Sequence, residues 1–173
     1  DNGEIEAAWD SIFIQQSNAA YDTLSVEING GTITSTGLAP IRFYGPAATS
    51  VNSGADKPMN LTITGGSLVN QATEFSGDWL VEKIFKIGGG MTINDLLSKT
   101  TISIIGGTFN NDVSDYVTDG YHVKTNDDGT FTVTDKWTVT FVGTETTTES
   151  VTNNTAVSKP ADKIKQMAYI CHD

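Results

Sequence analysis

The side chains best able to do chemistry here are carboxylates and aromatics. An inverting glycoside hydrolase needs an acid and a base carboxylate roughly 6.5–9.5 Å apart. Asp56, Glu74, Asp78 and Glu82 fall in predicted loops or strand edges where such a pair could form, but nothing in their spacing separates them from solvated surface charge. A β-elimination lyase needs a cation to neutralise the substrate carboxylate and a base to take the α proton. Against this, the chain has one arginine, Arg42, and its nine lysines form no clear cluster. Catalysis is not expected, and no catalytic residue is assigned. The oxygen-rich sets Asp112, Asp115, Asp119 and Asn126-Asp127-Asp128 follow neither the twelve-residue calcium loop nor the nonapeptide calcium repeat; cap and turn roles account for them. His122 stands alone in a strand, no His/Cys cluster has zinc spacing, and Cys171 is the only cysteine, which rules out an internal disulfide. No metal or cofactor is expected. Aromatic residues are the better lead, because exposed rings stack on sugar faces while neighbouring polar groups hold the hydroxyls. Tyr21 beside Asp22, Tyr44 beside Arg42, and Trp79 beside Asp78 all lie near predicted strand starts. Tyr21, Tyr44, Asp78 and Trp79 are the expected ligand-binding residues. The alternative is that Phe43, Trp79 and Phe85 are core or cap, the ordinary fate of an aromatic in a strand.

Those side chains must be positioned by a repeating element. The phrases VEINGGTI (26–33), LTITGGSL (61–68) and ISIIGGTF (102–109) share one pattern, and self-similarity at such spacing marks a repeat architecture. Alternation before each glycine pair has the period of a strand with one buried face. The pair then permits a sharp corner, after which Ile33, Leu68 and Phe109 point back inward. The pairs stand 35 and 41 residues apart, with a degraded copy, FKIGGGMTI at 85–93, between the second and third. Further strand-like runs are SIFIQQ (11–16), PIRFYG (40–45) and WLVEKIF (79–85), and residues 46–58 read as a solvated loop. Strand, glycine corner, short strand, repeated, describes a parallel β-solenoid of three to four coils. At about 4.8 Å per coil it stands only about 15–20 Å tall, and its apolar ends need caps. EIEAAWDSI around Trp9 is the expected N-terminal cap. At the other end, a helical turn over Val113–Val117 and a hairpin around Asn126-Asp127-Asp128-Gly129 lay Tyr121, Val123, Phe131 and Val133 over the last coil.

The segment GGTFNNDVSDYVTDGYHVKTNDDGTFTV, 106–133, closely resembles the ending of β-helical repeat regions in secreted or wall-attached proteins of gut-dwelling anaerobic bacteria. The resemblance covers about 26–134. It implies a right-handed parallel β-helix of the pectate-lyase-like type and an extracellular address, without implying an activity. The expected organisation is therefore all-β: a short right-handed parallel β-helix with caps over 1–135, its hairpin cap at 109–134, and a β-rich tail over 136–173. That tail is Thr-rich, with strands at Trp137–Val142 and around Glu149–Val151 and a helical turn over Ala161–Met167. Its VTF at 139–141 and KPAD at 159–162 are similar to the first half of an internalin-type B repeat, a small β-grasp module. However, MAYICHD stands where that module carries Gly-Tyr and Gly-Trp.

Across 173 residues, 21 acidic and 10 basic side chains give a net charge of −11. Such a surface repels phosphate backbones and anionic lipid, so neither nucleic acid nor membrane insertion is expected as a partner. A start at Asp1 rather than Met is read as a trimmed chain. The sequence thus points to a non-catalytic extracellular surface module with a role in adhesion, in binding an extracellular glycan or host ligand, or as a spacer. A fragment of a polysaccharide-degrading enzyme and a trimeric phage-fibre piece are the alternatives.

Overall fold

A computed structural model describes residues 3–15, 24–44, 59–75, 77–141 and 147–152. Tyr21, Asp22, Asp56, the 46–58 loop, the 161–167 turn and Cys171 lie outside these residues. The described chain is mostly β-strand, and it visits three sheets in turn. A first pass makes β1 (Glu4–Ala7), β2 (Ile12–Gln15) and β3 (Leu24–Ile28). A second makes β4 (Thr32–Ser35), β5 (Ile41–Tyr44) and β6 (Met59–Ile63). The third makes β7 (Ser67–Asn70), a pair β8 (Trp79–Val81) and β9 (Phe85–Gly88), helix α1 (Ile93–Lys99) and β10 (Thr100–Ile104). After these come β11 (Thr108–Phe109), a 3-10 turn at Ser114–Tyr116, β12 (Tyr121–Thr125), β13 (Phe131–Phe141) and β14 (Thr147–Thr152).

Strands of successive passes pair in parallel, β1 with β4, β4 with β7 and β7 with β11. The same holds for β3–β6–β10 and for β2–β5–β9. The register is set by the inward aliphatics, since a slip of one residue would turn every one of them outward. Ile28 pairs with Ile63 and Ile63 with Ile104, so the three stand in one column, 5%, 0% and 0% exposed. Ile5, Ile33, Leu68 and Phe109 form a second column. Its first member is 45% exposed and the rest are buried, because among the described residues nothing pairs below β1. Antiparallel pairs at β8–β9, β11–β13, β12–β13 and β13–β14 make the sheets mixed.

At the second and third corners both glycines are needed, each for a different reason. Gly31, Gly66 and Gly107 have φ of 84°, 93° and 101°, a region costly to a residue with a Cβ. The preceding glycine is demanded by proximity: a Cβ on Gly65 would sit 2.7 Å from the Asn29 carbonyl oxygen, and one on Gly106 would collide with that of Thr64. Gly30 has open space around it. One polar side chain also links the passes. Asn70, 6% exposed, donates from Nδ2 to the carbonyls of Leu38 (2.7 Å) and Lys83, and its Oδ1 accepts from Ala72 N–H at 2.7 Å. Asn110 in turn accepts from Asn70 N–H and donates to its carbonyl. Side-chain and backbone groups of one buried residue thus hold four segments together.

The C-terminal end is closed by the β12–β13 hairpin. β13 pairs antiparallel with β11, Val133 is buried, and Tyr121, Val123 and Phe131 pack on the core. One continuous strand, β13, crosses residues 135–136, pairing first with β12 and then with β14.

Several expectations need correction. Residues 79–85 are not one strand: β8 and β9 pair antiparallel around a turn in which Lys83 has φ of 74°. The copy at 85–93 is no corner, because Phe85–Gly88 belongs to the β2–β5–β9 sheet and a helix follows. That helix was unforeseen, although Thr92 and Asp95 form a capping box, the usual mark of a helix start. Hydrogen bonds from Thr92 hold the Asp95 carboxyl below its ordinary pKa. The turn at 113–117 is a shorter 3-10 turn. At the N-terminus, Glu4–Ala7 is a strand in the ladder and Trp9 is 72% exposed, so its ring is not laid over the core.

The corner geometry predicts unequal costs for one chemical change. Gly106→Ala should lower unfolding free energy by about 2 kcal/mol or more, since backbone must move, whereas Gly30→Ala should stay within about 0.5 kcal/mol. Urea unfolding of the two variants checks this; equal losses would contradict the account.

Candidate functional site

The outer face of the β2–β5–β9–β8 sheet gathers most of the chemistry. Alternation sends Ile14, Ile41, Phe43, Phe85 and Ile87 into the core, so Phe13, Arg42, Tyr44, Lys86 and Gly88 take the opposite face. Register then lines up Phe13 with Arg42 and Arg42 with Lys86 in one row, and Tyr44 with Gly88 in the next. Trp79 of β8 stands opposite Lys86.

Arg42 is the centre of one half. Its guanidinium carbon lies 5.8 Å from the Phe13 ring centroid and 5.4 Å from that of Tyr44, within the range of cation–π attraction. The two rings are 5.3 Å apart and tilted by 33°, so they tile a shallow platform rather than crossing edge to face. Phe13 is 49% exposed. Asp10 holds the guanidinium from the other side, Nη1 to Oδ2 at 3.1 Å. Gly88 leaves the room: a Cβ there would lie 2.7 Å from Arg42 Nη2 and 3.2 Å from Tyr44 Cδ2. In the second half, Phe75 and Trp79 meet edge to face at 5.2 Å. Lys83 Nζ lies 4.6 Å over Phe75, and Lys86 Nζ 4.9 Å over Trp79. The Trp79 indole N–H is buried with no hydrogen-bond partner among the described residues.

Of the four expected binding residues, Tyr44 and Trp79 share this sheet but are not neighbours, since β9 runs between their strands. Asp78 is exposed; it takes part through its backbone carbonyl, which accepts from Ile87 N–H at 3.2 Å, and no described contact brings its carboxylate to Tyr44. Tyr21 lies outside the described residues. Phe43 and Phe85 are fully buried core, whereas Trp79 is half-buried on the outer face. Phe13, Phe75, Asp10, Lys83 and Lys86 were not anticipated. For Phe13 a signal existed, because Ile12 and Ile14 flank it and only one parity can face inward.

Among the other candidates, Glu82, Asp112 and Asp115 line one open cleft of about 270 Å³. Glu74, Asp78 and Glu82 are exposed. Asp112 accepts from Ser114 N–H at 2.9 Å. Asp128 accepts from the Thr130 hydroxyl and N–H, which lowers its carboxyl pKa. His122 Nε2 lies 3.2 Å from the Thr134 hydroxyl. Among the described residues no group of three ligating side chains could hold a metal ion, and no helix is long and apolar enough to cross a membrane. Comparison of the chain with family models, curated proteins and solved structures finds no match in any of the three.

The ion pair positions Arg42, with Asp10 9% exposed and the Arg42 side chain 25%. Asp10→Ala should cost about 1–3 kcal/mol, because it strips a partly buried cation of its partner. The double variant Asp10→Ala/Arg42→Met should recover part of that loss. Thermal unfolding of both measures the coupling, and strictly additive losses would dismiss it.

Proposed function

We propose that this chain is a non-catalytic, extracellular surface module that binds a glycan on the outer face of the β2–β5–β9–β8 sheet. The observation that carries the reading is the Phe13–Tyr44 platform with Arg42 fixed across it. Sugar rings present C–H faces that stack on such rings, and a guanidinium fork donates to sugar oxygens in fixed geometry. Trp79 and Phe75 would extend the row along the sheet. The scaffold in this reading is a short right-handed parallel β-helix, which the in-register parallel ladders and glycine corners support. The resemblance of residues 106–133 to the closing segment of secreted β-helical repeats supports the extracellular address. Residues 136–173 are read as a partial β-grasp-like tail.

A glycan array tests the reading. Binding is expected for at least one glycan, and Tyr44→Ala and Phe13→Ala should each weaken it about tenfold or more with thermal midpoints retained. An array without signal at saturating protein would defeat the glycan reading. Full binding by both variants would move the site elsewhere.

A further inference from the structure

A second site lies at the far edge of the β3–β6–β10 sheet, away from the aromatic platform in sequence and independent of the glycan reading. A cleft of about 460 Å³ opens between the end of α1 and the 3-10 turn, with Leu97, Thr100, Ile102, Asp115, Val117 and Thr118 in its walls. Its origin is an interrupted rung. Ile104 continues upward, bridging in parallel to Val117, and its carbonyl accepts from Thr118 N–H at 3.0 Å. The residues before Val117 turn as a 3-10 helix instead of running on as a strand. Tyr116 packs edge-on against Phe85 at 6.0 Å and donates to the Leu80 carbonyl at 3.3 Å, which draws this segment toward the β8–β9 pair.

The edge left behind is specific in its chemistry. Ile105 N–H donates to the Ile63 carbonyl in β6, while the Ile104 carbonyl faces the opposite way, to Thr118. Because backbone groups alternate along a strand, the N–H and C=O of Ile102 face the same way as the Ile104 carbonyl, toward the cleft. Among the described residues no backbone hydrogen bond crosses that side of β10 before Ile104. The inward columns are unfinished at the same place. Leu24–Met59–Thr100 and Val26–Leu61–Ile102 stop at the third member. Ile102 is only half-buried, and Leu97 is 41% exposed beside it. Thr100, 2% exposed, ends its column with a buried hydroxyl that has no hydrogen-bond partner among the described residues. An unpaired strand edge is a template for another strand, and a polar group orphaned at burial calls for a partner.

We propose that this cleft is a docking groove for an extended peptide segment of another protein, which adds in parallel to the edge of β10. The segment completes the two columns: a small hydroxyl or amide side chain over Thr100 and, two residues on, an aliphatic one over Ile102. Asp115 at the wall favours a basic residue in the same segment. Strand addition takes affinity from main-chain hydrogen bonds and specificity from alternate side chains, and both are matched here.

The test uses the whole chain and a capped pentapeptide, Lys-Ser-Thr-Leu-Thr, with a twin N-methylated at the residue after Leu, the amide that would donate to the Ile102 carbonyl. Addition of the unmodified peptide should move the Ile102 and Thr118 amide resonances and slow hydrogen exchange at the Ile102 amide about fivefold. The methylated twin should do neither. Unchanged Ile102 exchange at the peptide's solubility limit overturns the proposal. So does an equal effect from the methylated twin, which would mean side-chain contact without a strand. Shifts at these amides with methyl glucoside but not with peptide would make the cleft a sugar site instead.

Discussion

Backbone packed directly on backbone at the glycine corners is the constraint on which the rest of this structure depends. Parallel ladders need successive passes at strand spacing, about 4.8 Å, and the corner must hold that spacing where no ladder hydrogen bond does. At Gly65 and Gly106 the α-carbon lies so near the carbonyl of the corner below that no side chain fits between. The partner glycine then turns with a left-handed φ and its successor re-enters the next sheet, as Ser67 does by donating from N–H to the Gly31 carbonyl at 2.8 Å. Loosening one corner would disturb the register of the two sheets that meet there, and with it their inward columns.

This dependence explains what was legible in the sequence. A glycine pair preceded by alternating aliphatics encodes corner and column together, so Ile28, Ile63 and Ile104 could be stacked from spacing alone. The hairpin was equally readable, since Asn126-Asp127-Asp128-Gly129 carries its own turn chemistry: Gly129 has φ of 82° and Asp128 binds Thr130. What could not be read were events without local repetition. β8 and β9 are one apolar run in sequence, and they fold back because Lys83 adopts a left-handed conformation that its residue type disfavours. The Lys83 carbonyl accepts from Asn70, buried 13 positions earlier in the chain, a partner no window of sequence reveals. The fourth glycine run misled for the same reason: glycines at 88–90 match the motif in type, but Gly88 serves Arg42 across the sheet rather than a corner.

The binding face was half legible. Aromatic type was a sound guide, but exposure depends on parity and on which strands become neighbours. Tyr44 and Trp79 look alike as aromatics close to a charged residue, yet one joins Phe13 through β2–β5 pairing and the other meets Phe75, four positions earlier in the chain. Asp10 reaches Arg42 across 32 positions. Only the register of β2 on β5 makes that distance short.

That register also creates a conflict which the surrounding residues resolve. Arg42 and Lys86 stand directly opposite on adjacent strands, an arrangement that is repulsive between like charges. In a chain with net charge −11, the Asp10 carboxylate takes up part of this conflict by pairing with Arg42. Ring faces add to that relief: Phe13 and Tyr44 lie beside the guanidinium, and Trp79 beside the Lys86 ammonium. Ring quadrupoles attract cations without adding charge, so these rings offset part of the repulsion between Arg42 and Lys86, the latter 7% exposed. Aromatics in this sheet therefore do two things at once: they stabilise an otherwise unfavourable cation pair, and they leave flat, partly exposed surface beside it.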